Sequence, residues 1–108
     1  MALAKAKRTL SSRKGLITRA INACKDAAKG PDTNVRELTL KVEALEQRWK
    51  PYQDAYYEYE EALVEADAND TDLGDAQRDF QATEETYISA VSEYRDILDS
   101  MPAQTSRS

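Results

Sequence analysis

Histidine is absent from this 108-residue chain, and cysteine occurs once, as Cys24. The first absence removes the commonest general base and metal ligand. The second excludes an internal disulfide and a zinc finger, and favours a cytoplasmic setting. Glycine and proline number three each and phenylalanine one, a composition that points to helices rather than sheets. No apolar run approaches the roughly 20 residues that cross a bilayer. The opening Met1-Ala-Leu-Ala-Lys-Ala-Lys-Arg has no continuous apolar stretch of the kind a secretion signal needs. A glycine-rich phosphate loop and a Ser-His or Cys-His pairing are missing too. Neighbouring acids such as Glu60-Glu61 and Glu84-Glu85 do not converge on a shared site when they lie on a helix. The expectation is a non-enzyme, with no cofactor, no metal and no small-molecule substrate.

What the chain does have is charge, 32% of its residues against 41% apolar, enough for one small domain with one core. The charge is unevenly placed. Up to Gly30, eight basic residues face Asp26 alone, a surplus of +7; from Pro31 onward seven basic residues face nineteen acids, giving −12 and a net −5.

Apolar periodicity organises the rest. Val35, Leu38, Val42, Leu45, Trp49, Tyr52, Tyr56, Tyr59, Leu63 and Ala66 follow one another at spacings of three and four, the signature of a heptad seam. Asp32 is a good N-cap for this helix, and Asn34 with Glu37 offers a second start with capping-box spacing. Pro51 removes one backbone hydrogen bond, which predicts a bent but continuous helix, with a break as the lesser alternative. Asp67-Ala-Asn-Asp-Thr-Asp-Leu-Gly is rich in turn formers, and Asp70 or Thr71 is placed to start a further helix. A second seam follows in Leu73, Ala76, Phe80, Thr83, Tyr87, Ala90 or Val91, Tyr94 and Leu98. Before both, Leu3, Leu10, Ile17, Ile21, Cys24 and Ala28 mark a basic amphipathic helix. Gly15 weakens this helix near Ser11 to Gly15, and Lys29-Gly30-Pro31 ends it.

The predicted fold is therefore all-α: an elongated antiparallel helical hairpin of the coiled-coil type, with a basic third helix at the N-terminus. Its parts are residues 1–30, the hairpin at 31–99 with helices at about 32–66 and 71–99, and a patternless, disordered tail at 100–108.

Three groups of residues are candidates for function. Leu38, Val42, Leu45, Trp49, Tyr52, Tyr56, Tyr59, Phe80, Tyr87 and Tyr94 form the protein-interaction seam. Heptad spacing makes the aromatic members core residues with hydroxyls reaching the rim, and leaves Tyr57, off the seam, as the better exposed contact. Lys7, Arg8, Arg13, Lys14 and Arg19 are candidate anion-binding residues for RNA or an anionic membrane, against the plainer reading that they complement the acidic hairpin. The calcium-loop likeness of Asp67 to Asp72 fails, because Asp72 stands where glycine is needed and Arg78 where the bidentate glutamate belongs.

The order of these parts, with Lys7-Arg8-Thr9 and Lys14-Gly15-Leu16-Ile17-Thr18-Arg19 before the heptad helix Leu38 to Tyr59 and an acidic hairpin with Tyr87, resembles the N-terminal region of Gag-like polyproteins of BEL/Pao retrotransposons. The resemblance covers about Lys5 to Leu98. It implies an assembly or host-interaction segment of a mobile-element protein. The expected function is a non-catalytic coiled-coil interaction and oligomerisation module whose partner is a protein, either self or another helical chain. The alternative is a tether to nucleic acid or an anionic membrane through the basic helix.

Overall fold

The computed structural model describes residues 2–29 and 33–101. They form three helices, α1 (Ala2–Ala27), α2 (Val35–Glu65) and α3 (Asp70–Ser100), with no strand among the described residues. The fold is all-α. The principal extents are 60 × 20 × 19 Å, and a 31-residue helix such as α2 rises about 46 Å at 1.5 Å per residue.

Each helix start and stop has a local cause. Asn34 caps α2, its side-chain oxygen accepting from the Glu37 N–H at 2.9 Å; Asp32, the other expected cap, lies outside the described residues. Asn69 caps α3 by accepting from the Asp72 N–H at 2.8 Å, and the helix begins at Asp70, one of the two expected starts. Asp70 and Asp72 then lie in the first turn, where carboxylates favour the positive end of the helix dipole. At the other end of α2, Ala68 N–H reaches Leu63 O at 3.0 Å and Asp67 N–H reaches Val64 O at 3.1 Å. These bonds require Asp67 to turn left-handed, at φ 56°, a position that glycine usually fills. The predicted turn carries no glycine there, and aspartate takes the strain.

α2 runs unbroken through Pro51, as expected in preference to a break, and α1 runs unbroken through Gly15. Lys29-Gly30-Pro31 and the tail beyond Met101 lie, apart from Lys29, outside the described residues.

The core is centred on α2. Leu38, Val42, Leu45 and Tyr52 are wholly buried, joined by Ile17 and Cys24 of α1 and by Ala90 and Tyr94 of α3. Backbones approach closely along much of α1 and α2, less so along α2 and α3, and seldom between α1 and α3. Because α2 is covered by both neighbours, it buries more than the seam: Ala55 and Ala62 are also buried, two turns apart on a stripe of small side chains that the heptad reading did not include.

Candidate interaction surfaces

The residues predicted as an interaction seam are brought together, and they are brought together inside the chain. Leu38, Val42, Leu45, Tyr52, Tyr56 and Tyr94 are buried; Trp49, Tyr59, Phe80 and Tyr87 are half-buried. Their rings make a ladder. Trp49 stacks on Tyr87 with centroids 4.7 Å apart, Phe80 stacks on Tyr56 at 4.1 Å and on Tyr52 at 5.6 Å, and Trp49 meets Phe80 at 5.6 Å. Offset and tilted ring pairs of this kind add roughly 0.5–1.5 kcal/mol each beyond the area they bury. The contacts between α2 and α3 run in opposite order along the two helices: Glu46 meets Arg95, Trp49 meets Tyr87, Tyr56 meets Phe80 and Glu60 meets Gln77.

The hydroxyls meet different fates. Tyr56 donates to Glu60 Oε2 at 3.0 Å, and burial together with that carboxylate pushes its hydroxyl up to about 12. The Tyr52 hydroxyl does not reach the rim as expected; it is buried without a hydrogen-bond partner. Burial raises its pKa, with the Thr83 side chain acting in the opposite sense. Thr83 donates to Asp79 O at 2.9 Å, which leaves its hydroxyl oxygen able to accept but not to donate to Tyr52. Burial likewise raises Tyr87, Tyr94 and the Cys24 thiol; a wholly buried cysteine with a raised pKa is a small core residue rather than a nucleophile.

The candidate anion-binding residues divide into two sets. Lys14 reaches across to Asp79 at 2.7 Å, and Arg13 donates to Pro51 O at 3.3 Å. Lys7 is exposed at the rim of a hollow shared with Asp72, Asp75 and Asp79. Arg8 and Arg19 are exposed. Two of the five are thus turned toward α2 and α3, and the basic helix meets its acidic neighbours at discrete points.

Outside the core, four large apolar side chains are more than half exposed: Leu40 (58%), Tyr57 (52%), Val64 (60%) and Ile88 (56%). Tyr57 stands where its position off the heptad had placed it. The other three were not singled out by sequence, because an isolated apolar residue on a polar helix face has no periodicity to reveal it. No cluster of three metal-ligating side chains occurs among the described residues. None of the helices is long and apolar enough to cross a membrane, again among the described residues.

No protein-family model, curated protein or solved structure matches the chain.

Proposed function

We propose that this chain is a non-catalytic helical interaction and self-assembly module: an antiparallel coiled-coil hairpin of α2 and α3 that carries α1 as a third, basic helix. The opposite order of contacts between α2 and α3 supports the antiparallel reading, and the alternating three-and-four spacing of the buried and half-buried seam residues from Leu38 to Leu63 supports the coiled coil. One observation carries the functional part. Leu40, Tyr57, Val64 and Ile88 all lie on α2 and α3 and remain exposed after the seam has closed on itself. Two of them, Tyr57 and Val64, line one depression, and clustered rather than singly scattered apolar surface is what a protein partner covers. The order of parts along the sequence is the basis for proposing a kinship with retrotransposon Gag-like N-terminal regions, and the single cysteine is the basis for proposing a cytoplasmic setting.

Sedimentation equilibrium tests the assembly part. Association at micromolar concentration is the expected result. A strict monomer at high micromolar concentration removes self-assembly and leaves an adaptor for another protein.

The second reading, a tether to RNA or an anionic membrane, rests on the exposure of Lys7, Arg8 and Arg19 along α1. Binding to mixed-sequence RNA and to phosphatidylserine vesicles, measured at two salt concentrations, tests it. Charge reversal at Arg8 and Arg19 should abolish any such binding; no binding at low salt refutes the tether.

A further inference from the structure

The acidic end of the molecule holds a hollow to which α1 contributes nothing. Residues 54–79, the end of α2 and the start of α3, contain ten acids and one base, Arg78. Within this stretch, Tyr57, Glu60, Glu61 and Val64 of α2 and Leu73 and Gln77 of α3 line one open depression. Tyr57 and Val64 are seven residues apart, so they project from the same face of α2 about 10 Å from each other. They are 52% and 60% exposed, and Leu73 is half-buried beside them. The aromatic ladder comes to the surface here, since Tyr57 touches Tyr56 at 5.7 Å and Phe80 at 6.3 Å between centroids.

Glu60 gives the depression its polarity. Tyr56 Oη donates to Glu60 Oε2 at 3.0 Å and Gln77 Nε2 to the same oxygen at 3.4 Å. Both donors are neutral. The carboxylate is therefore held in place from both helices, no cation among the described residues pairs with it, and Oε1 is not engaged by either donor. A guanidinium or ammonium arriving at this edge meets a positioned anion, the arrangement in which a charge-assisted hydrogen bond loses least to ordering.

We infer that this depression receives a basic amphipathic helix of another protein, its apolar residues on Tyr57, Val64 and Leu73 and an Arg or Lys on Glu60. The inference rests on the protein-interaction reading above, though not on self-assembly. A second copy does not fit as the occupant. The basic helix of the chain is α1, and its large apolar side chains are buried or half-buried against its neighbours; none is among the more-than-half-exposed ones. Nucleic acid and anionic lipid are repelled by the surrounding carboxylates.

The test uses the full chain and three fluorescein-labelled amphipathic peptides: one with Leu at i, i+3 and i+7 flanked by Arg, one with every Arg replaced by Glu, and one with every Leu replaced by Ser. Fluorescence anisotropy should show binding of the first only, weakened by added salt. Val64→Ser and Tyr57→Ser, both at exposed positions and checked by circular dichroism, should each weaken it about tenfold, and Glu60→Gln about threefold. Ile88→Ser should leave it unchanged. Equal binding of the three peptides, no binding of the first, or indifference to Val64→Ser and Tyr57→Ser in folded protein overturns the inference. Sedimentation of the same samples separates the two readings. A monomer that binds the peptide refutes self-assembly alone, and an oligomer that does not bind it refutes this docking site alone.

Discussion

Where α1 meets α2, small and aliphatic side chains mix: Ala6 and Ala62 border one hollow, and Ile17 and Cys24 share the core with Leu38, Val42 and Leu45. Where α3 meets α2, the facing side chains are rings: Trp49, Tyr52 and Tyr56 against Phe80 and Tyr87. The backbones follow the side chains, approaching closely in the first contact and less in the second. The first contact depends on volume, because alanines leave no slack and each aliphatic residue among them fills a defined space. The second depends on ring geometry and on what becomes of the polar tips.

Truncating one residue in each contact should give the largest effects and show which of them dominates. Ile17 is 1% exposed, and Ile17→Ala should cost about 3 kcal/mol, within the range of roughly 2–5 for buried aliphatic residues. Phe80 touches four other rings but is half-buried, so Phe80→Ala should cost somewhat less, about 2 kcal/mol. Urea denaturation measures both. A larger loss at Phe80 would reverse the comparison and make the ladder the main source of stability.

Alkali should act mainly on the ring side. Tyr56 is held at about 12 when folded, against about 10 in an unfolded chain. The folded state therefore retains its proton at a pH where the unfolded state has lost it. Stability from this group is fully present below pH 10 and is lost as pH rises toward 12, by on the order of 2 kcal/mol. Tyr52, Tyr87 and Tyr94 are raised too and add in the same direction. Thermal melts between pH 9 and 12 should fall, and Tyr56→Phe should flatten the fall. A flat profile in the unmodified chain would mean that the hydroxyls are not desolvated.

Smaller, and opposite in sign, is the effect of removing the buried hydroxyl of Tyr52. An unsatisfied buried polar group costs roughly 1–3 kcal/mol, and the ring itself is retained in Tyr52→Phe. The substitution should stabilise the protein by about 1 kcal/mol. A loss of stability would reveal a hydrogen bond to Thr83 formed in solution.

The two contacts were not equally legible in the sequence. The ring side could be read because large apolar residues at spacings of three and four leave a strong periodic signal, from Leu38 through Tyr59 and again from Phe80 through Tyr94. The alanine stripe could not, since alanine is common on every face of a helix and Ala55 and Ala62 carry no contrast with their surroundings. Helix ends were legible to within a residue or so where a side chain makes the cap, as at Asn34. Near Asn69 three adjacent side chains of similar capping ability compete, so the sequence left the start open between Asp70 and Thr71, and the helix begins at Asp70. The candidate surface was only partly visible: Tyr57 stood out because it is aromatic and off the seam. Val64 and Leu73 acquire meaning only once α2 and α3 are placed side by side.

The ion pairs joining the helices should give the smallest effects, and they differ by the same contrast of geometry. Arg95 presents Nε at 3.2 Å and Nη2 at 2.6 Å to the two oxygens of Glu46, a fork that a lysine cannot reproduce. Lys14 meets Asp79 through one atom at 2.7 Å, with side chains 42% and 51% exposed. Exposed pairs contribute roughly 0.2–1 kcal/mol, and a fixed bidentate pair lies toward the upper end of that range. In double-mutant cycles, Glu46 with Arg95 should therefore couple by about 0.8 kcal/mol and Lys14 with Asp79 by about 0.3. Arg95→Lys should lose most of the first coupling, whereas Lys14→Arg should retain the second. If the Lys14 pair couples more strongly, the basic helix is held to α3 by charge as well as to α2 by shape, and the division between the two contacts is less complete than their side chains suggest.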